Sequence, residues 1–154
     1  MTQPTEPWLR DGKIVSKTVR INAPTSKVWE ALTDPDLMKK WMSETEIHIF
    51  TDWKVGNPFV IRGRLHGINF ENWGTVLQFE PENTLQYSHL SSLSRLPDQL
   101  ENYSILEFRL APVHPETSLT LTASNFPTES IYKHFAFYWN VTLEILKRLI
   151  EAGA

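Results

Sequence analysis

The sequence predicts an α+β fold in which a curved antiparallel sheet of about seven strands packs against one long C-terminal helix. Between Ile47 and Ala123 the side chains alternate between apolar and polar, with short turn clusters between the runs. Short connections favour antiparallel pairing, because parallel strands need long crossovers. From Pro127 to about Ala152 the period changes to that of a helix. A sheet of this size has one face to bury, and this helix is the largest element available to cover it.

The N-terminal part begins with a segment that has no clear period. Residues 1–12 are predicted to be a loose lead-in, with Trp8 placed to pack onto the body, and residues 13–154 form a single domain. The run 13–21 is rich in Ile, Val and Thr, which predicts the first strand.

Two short helices follow the first strand. Proline and hydroxyl residues at 22–26 mark the start of the first helix, which ends before Pro35. The residue before a proline disfavours the helical region, whereas proline itself suits a first turn. A second helix is therefore predicted from Asp36 to about Met42.

The alternation in the central part predicts six further strands and their inward faces. These strands are 46–51, 58–66, 69–80, 84–91, 103–111 and 117–124. In the run 58–66 the apolar set must face inward, because Arg62 and Arg64 cannot be left unpaired in a core. That inward set is Phe59, Ile61, Gly63 and Leu65. The same alternation predicts that Trp73, Leu77 and Phe79 face inward on the next strand.

Composition and charge exclude several classes of protein. The net charge is −3 with both signs scattered along the chain, so no basic stripe is available for nucleic acid. The absence of cysteine excludes disulfides, thiolate metal sites and cysteine nucleophiles. The N-terminus has no apolar run typical of a signal peptide, and no stretch approaches the ~20 apolar residues of a membrane span. We therefore expect a cytoplasmic protein with no membrane span.

No motif for metal binding or catalysis is present. The five histidines lack the spacing of a metal site, and the sequence has neither a nucleophile elbow nor a phosphate-binding loop. We predict no metal and no cofactor. If the protein catalyses a reaction, His89 is the acid/base candidate, because an imidazole ordinarily titrates near neutrality.

Several segments together resemble one family. Residues 21–35 (INAPTSKVWEALTDP), followed by Trp41, are similar to the opening of the START-like (SRPBCC, helix-grip) superfamily. More narrowly they resemble homologues of the C-terminal domain of the activator of the ninety-kilodalton heat-shock protein ATPase. Residues 53–59 (WKVGNPF), 74–77 (GTVL) and 117–122 (TSLTLT) continue the match in order. At Ala123 and Asn125 the chain departs from relatives that often carry His and Gly.

The resemblance implies a helix-grip fold that encloses an apolar cavity between the sheet and the C-terminal helix. The expected function is non-catalytic binding of a small hydrophobic molecule, a lipid or an aromatic compound. The aromatic inward face agrees with such a site, which is typically apolar with a few polar anchors. The predicted ligand-binding residues are Trp41, Phe59, Ile61, Trp73, Tyr87, His89, Phe108, Leu121, Phe135 and Trp139.

Two other functions stay open at this point. The resemblance also implies a co-chaperone-like module that binds the ninety-kilodalton heat-shock protein. A cyclase or hydrolase would use His89 or Tyr87 in the same cavity. Both a monomer and a homodimer are compatible with the sequence. The segment 90–101 is longer than a hairpin needs, with leucines spaced as on a short helical face, and either forms a lid or packs onto the sheet edge.

Overall fold

Seven antiparallel strands form one curved sheet in the computed structural model, which describes residues 13–153. The strands are β1 (Val15–Ile21), β2 (Ile47–Thr51), β3 (Pro58–Leu65), β4 (Ile68–Glu80), β5 (Thr84–Ser91), β6 (Ser104–Val113) and β7 (Glu116–Ser124). The helices are α1 (Thr25–Thr33), α2 (Pro35–Met42) and α3 (Glu129–Glu151). The strand order is β1-β7-β6-β5-β4-β3-β2, which confirms the predicted α+β class. The expected lead-in at residues 1–12, with Trp8, lies outside the described residues.

Side-chain caps fix the starts of two helices. The Asp34 carboxylate accepts a hydrogen bond from the backbone N–H of Asp36, and Pro35 occupies the first turn of α2. The Thr128 hydroxyl accepts from the backbone N–H of Ile131 at the start of α3. Both caps satisfy a donor that a helix end otherwise leaves unpaired.

The β3–β4 hairpin sets which residues share the concave face of the sheet. His66 and Gly67 both have positive φ, as a two-residue hairpin turn of the favoured hand requires. Leu65 consequently pairs with Ile68, and Ile61 pairs with Asn72. The inward prediction holds for Phe59 and Ile61, which are buried, but is wrong for Leu65. Leu65 is exposed because the hairpin extends beyond the core, where its partner Ile68 is exposed as well.

A β-bulge at Leu77 reverses the alternation along β4. Val76 pairs with Tyr87 but Gln78 pairs with Gln86, so Leu77 is the extra residue. Phe79, beyond the bulge, packs against the core as predicted. The inward predictions for Trp73 and Leu77 are wrong. Leu77 is exposed, and Trp73 pairs with Val60 and Leu90 on the convex face.

Helix α3 lies across the concave face with a broad apolar stripe. Its buried residues are Phe135, Trp139, Thr142, Leu143, Leu146 and Ile150. They meet the inward residues of β5, β6 and β7 in one continuous core. Just before α3, Asn125 has φ +59°, a conformation in which glycine is unstrained, and its side chain donates to the carbonyl of Tyr103.

Candidate functional site

Aromatic rings fill the centre of the layer between the sheet and α3. The rings of Phe59 and Tyr87 are 4.4 Å apart between centroids, and those of Tyr87 and Phe108 are 6.0 Å apart. From the helix, the Trp139 ring lies 5.5 Å from Phe108 and 6.2 Å from Trp41. The indole N–H of Trp41 donates to the carbonyl of Ala31 over 2.8 Å. Around Trp139 the layer is therefore packed by protein side chains.

The predicted ligand-binding residues divide into three groups. Those buried on or against the concave face are Trp41, Phe59, Ile61, Tyr87, Phe108, Leu121, Phe135 and Trp139. His89 is half-buried on the same face of β5 as Tyr87. Trp73 lies on the opposite face, so the structure does not bring it together with the other nine.

Trp73 belongs to a polar cluster on the convex face. Its indole N–H and the Arg62 guanidinium both donate to the carboxylate of Glu71. These two contacts lower the pKa of Glu71, the Trp73 bond having the larger effect. The Arg62 guanidinium also lies over the ring of Phe50, 5.1 Å from its centroid. Trp73 therefore serves this cluster and makes no contribution to the concave face.

Asn72 adds a polar group that the sequence analysis did not single out. It shares the concave face because it pairs with Ile61 on β3 and Ser91 on β5. Its side-chain oxygen Oδ1 is buried and has no hydrogen-bond partner in the structure of residues 13–153. Buried polar atoms are paired in the great majority of cases, so an unpaired one calls for an explanation.

Two further polar groups lie along the neighbouring strand. Tyr87 is 3% exposed, and burial raises the pKa of its hydroxyl far above the ordinary value, with a further contribution from nearby Tyr138. Burial and nearby His134 lower the pKa of His89 to about 4, against a weak hydrogen bond to its own backbone. At neutral pH both groups are uncharged, so the Tyr87 hydroxyl and the His89 imidazole each offer one donor and one acceptor.

The N-terminal half of α3 covers this part of the sheet. The rings of His89 and Phe135 meet edge to face with centroids 5.4 Å apart. The Tyr138 hydroxyl donates to the backbone carbonyl of Met42, which connects α3 to the end of α2. Burial raises the pKa of Tyr138 to about 12, partly opposed by a hydrogen bond with Thr142. Through Phe135 the helix therefore presents an apolar ring to His89, while its own Tyr138 is tied to the backbone.

Burial decreases along the concave face from the centre towards Asn72. Val76 and Tyr87 are almost completely buried, whereas Asn72 and His89 are half-buried. Residues on one face of a strand repeat about every 7 Å, so Tyr87, His89 and Asn72 form a short row on two neighbouring strands. We call these three residues the polar row. The Phe135 ring covers it at His89, and it leads from the packed centre towards solvent.

Two clefts of the described residues lie outside this layer. One, of about 400 Å³, separates β1 from α3 and includes Ile14 and Phe137 in its lining. The other, of about 630 Å³, lies at the β2–β3–β4 end and includes His48, Arg62 and Glu71. None of the ten predicted ligand-binding residues lines either cleft.

The segment 90–101 forms two short 3₁₀ turns, Ser92–Ser94 and Leu100–Asn102, in place of one helical face. The Ser92 hydroxyl accepts from the backbone N–H of Glu71, which ties the first turn to β4. Leu93 and Leu100 are exposed. The role of this segment as a lid stays a prediction. Among residues 13–153, no helix is long and apolar enough to cross a bilayer.

The seven-stranded sheet, the two short helices after β1 and the long closing helix define a helix-grip protein of the START-like class. The family described as Activator of Hsp90 ATPase homolog 1-like protein matches residues 22–151. The chain therefore belongs to this family, as the sequence resemblance predicted. The sequence has no match among curated proteins.

Solved structures agree with this assignment. The solution structure of ChR145 from Cytophaga hutchinsonii has 39% identity and a TM-score of 0.77, with 90% of this chain and 94% of that chain covered. The Aha1 dimer from Colwellia psychrerythraea has 26% identity and a TM-score of 0.70, with 91% and 97% covered. Protein CV1439 from Chromobacterium violaceum, at 21% identity, shares the fold with a TM-score of 0.78 over 90% and 97%.

Proposed function

We propose that the protein binds a small, largely aromatic molecule at the Asn72 end of the polar row, next to the N-terminal half of α3, without catalysing its conversion. The buried Oδ1 of Asn72 carries this proposal, because a ligand that donates a hydrogen bond there removes the cost of leaving the oxygen unpaired. The Phe135 ring and the concave sheet supply the apolar contact.

The charge state of the polar row favours a neutral ligand. His89 is neutral above its lowered pKa of about 4, and Tyr87 keeps its proton because burial raises its pKa. A charged ligand would lose its hydration here without meeting an opposite charge on these three residues. The expected ligand therefore has aromatic rings, at least one hydroxyl or amine donor and no net charge.

A matched pair of probes tests this proposal. We expect 2-naphthol, which has a donor, to bind at least about tenfold more tightly than 2-methoxynaphthalene, which lacks one, because one hydrogen bond to a buried acceptor contributes about 1.5 kcal/mol. Isothermal titration calorimetry measures both affinities. Equal affinity of the two probes, or no binding of either, contradicts the proposal.

Substitution of Asn72 gives the second arm of the test. Asn72→Leu removes the unpaired oxygen, so we expect it to raise the melting temperature of the free protein and to abolish the preference for 2-naphthol. Asn69→Leu is the control, since Asn69 lies on the same strand but is exposed on the opposite face. Asn69→Leu should leave the preference for 2-naphthol over 2-methoxynaphthalene unchanged.

A further inference from the structure

The outward face of α3 carries an apolar stripe that the structure of residues 13–153 leaves open. Phe137 is 72% exposed, Val141 44% and Ile145 38%. Because they are four residues apart, they lie next to one another on one side of the helix. Towards β1 the apolar surface continues with Ile14, which is 51% exposed and lines a cleft together with Phe137. Exposed apolar side chains that occur singly need no explanation, but a continuous stripe marks a contact surface.

Charged residues flank this stripe at both ends. Their signs complement those of a second α3 that runs in the opposite direction. On the same third of the helix circumference, Glu129 and Lys133 precede Phe137 and Val141, Glu144, Lys147 and Arg148 follow them, and Glu151 ends the helix. From Glu129 to Arg148 the order along this side is negative, positive, apolar, apolar, negative, positive, positive. A second α3 that runs in the opposite direction therefore brings Glu144 to Lys133 and brings Lys147 and Arg148 to Glu129.

We propose that two copies of this chain associate through the outward faces of α3, antiparallel about a two-fold axis midway between Phe137 and Val141. In this arrangement Phe137 packs on Val141 of the second copy. Lys133 faces Glu144 of the second copy, and Glu129 faces its Arg148. Such a self-complementary patch is the kind of interface that closes a symmetric dimer. The proposal does not depend on ligand binding.

Contacts within one copy are compatible with this arrangement. Lys133 Nζ lies 3.3 Å from Glu129 Oε1, and Lys17 Nζ lies 3.5 Å from Glu144 Oε1. The Lys133, Glu129 and Glu144 side chains are about half exposed or more, so they can change or add partners at little cost. One helix face per copy is a small interface, so we expect a weak dimer that forms and dissociates readily.

Sedimentation of the full chain at increasing concentration tests the proposal. We expect a monomer–dimer equilibrium that Phe137→Glu shifts towards monomer by about tenfold or more in dissociation constant, since it places a carboxylate at the centre of the interface. Lys54→Glu, on the loop before β3, is the control for a change in net charge. It changes the net charge by the same amount as Lys133→Glu, the variant used in the next experiment, but at a distant site. A monomer at every concentration overturns the proposal, as does a dimer that Phe137→Glu leaves unchanged.

Charge reversal distinguishes this geometry from any other use of the stripe. Lys133→Glu alone and Glu144→Lys alone should each weaken the dimer, because each homodimer then contains two like-charge pairs. An equimolar mixture of the two variants should restore the dimer, because both pairs become opposite in sign in the mixed species. These surface substitutions leave the core intact, so the test stands even if Phe137→Glu does not fold. Failure of the mixture to restore association overturns the antiparallel arrangement.

Discussion

The His89 imidazole on β5 meets the Phe135 ring on α3 edge to face, with ring centroids 5.4 Å apart. This contact places a titratable group against an apolar ring at the proposed binding site. The cost of charging His89 there is the reason that its pKa falls to about 4. The same pairing joins the polar row to the helix, so the ionisation of His89 bears on both stability and binding.

The first prediction concerns acid. The folded state holds the pKa of His89 near 4, below the ordinary value of about 6.5. Between pH 4 and pH 6.5 the unfolded chain therefore binds more protons than the folded protein. Stability therefore falls as the pH is lowered from 6.5 to 4, by about 1–3 kcal/mol from this residue alone. His89→Gln should flatten that part of the profile in urea unfolding, whereas His48→Gln, at an exposed imidazole, should not. An unchanged slope in His89→Gln would show that other groups cause the acid sensitivity.

The second prediction compares two tyrosine hydroxyls. Tyr87 is buried and makes no hydrogen bond through its hydroxyl within residues 13–153, whereas the Tyr103 hydroxyl donates to Asp98 over 2.6 Å. Tyr87→Phe should change the free energy of unfolding by less than about 0.5 kcal/mol, and Tyr103→Phe should lower it by about 1–2 kcal/mol. Chemical denaturation measures both. A large loss in Tyr87→Phe would reveal that the hydroxyl is paired in solution.

The third prediction concerns the backbone beside the bulge. A Cβ added to Gly74 would lie 1.8 Å from the carbonyl oxygen of Ser88, a backbone atom that cannot move without the strand. Gly74→Ala should therefore lower stability by about 3 kcal/mol or more, at the upper end of overpacking effects. Gly63→Ala is the matched control, because its Cβ would meet side-chain atoms of Phe70 and Ile47 that can adjust. Equal losses in both variants would contradict this account of β4.

The fourth prediction tests the packing around Trp139. This side chain is 4% exposed and contacts Trp41 and Phe108, so Trp139→Ala should lower the free energy of unfolding by about 3–5 kcal/mol. Phe50→Ala, at a half-exposed ring on β2, should cost about 1 kcal/mol or less. A small loss in Trp139→Ala would mean that the indole lines a hollow and is not part of a packed core.

Simple periodicity predicts most of this fold. The stripe on α3 and the inward direction of Phe59 and Ile61 follow from side-chain spacing alone, because burial of one face imposes the period. Side-chain periodicity does not predict the β-bulge at Leu77. One extra residue reverses the faces before and after it, so a regular alternation places Phe79 correctly and Trp73 on the wrong side.

The site was harder to predict than the core. Asn72 is polar, so alternation alone assigns it to solvent. The signal that identifies it is the His66-Gly67 turn, since a two-residue turn fixes the register and pairs Asn72 with buried Ile61. The unpaired state of its oxygen depends on every neighbour in three dimensions, and no sequence pattern reports that.

The most direct test of the proposed binding site is to locate a bound probe. Isotope-edited nuclear Overhauser spectroscopy of the labelled protein with 2-naphthol measures which protein protons lie near the naphthyl ring. The proposal predicts contacts to Tyr87 and His89 in the polar row and to Phe135 on α3. Contacts confined to surface residues such as Phe137 or Trp73 would contradict it, because the ligand would then occupy the outer surface and leave Asn72 Oδ1 unpaired.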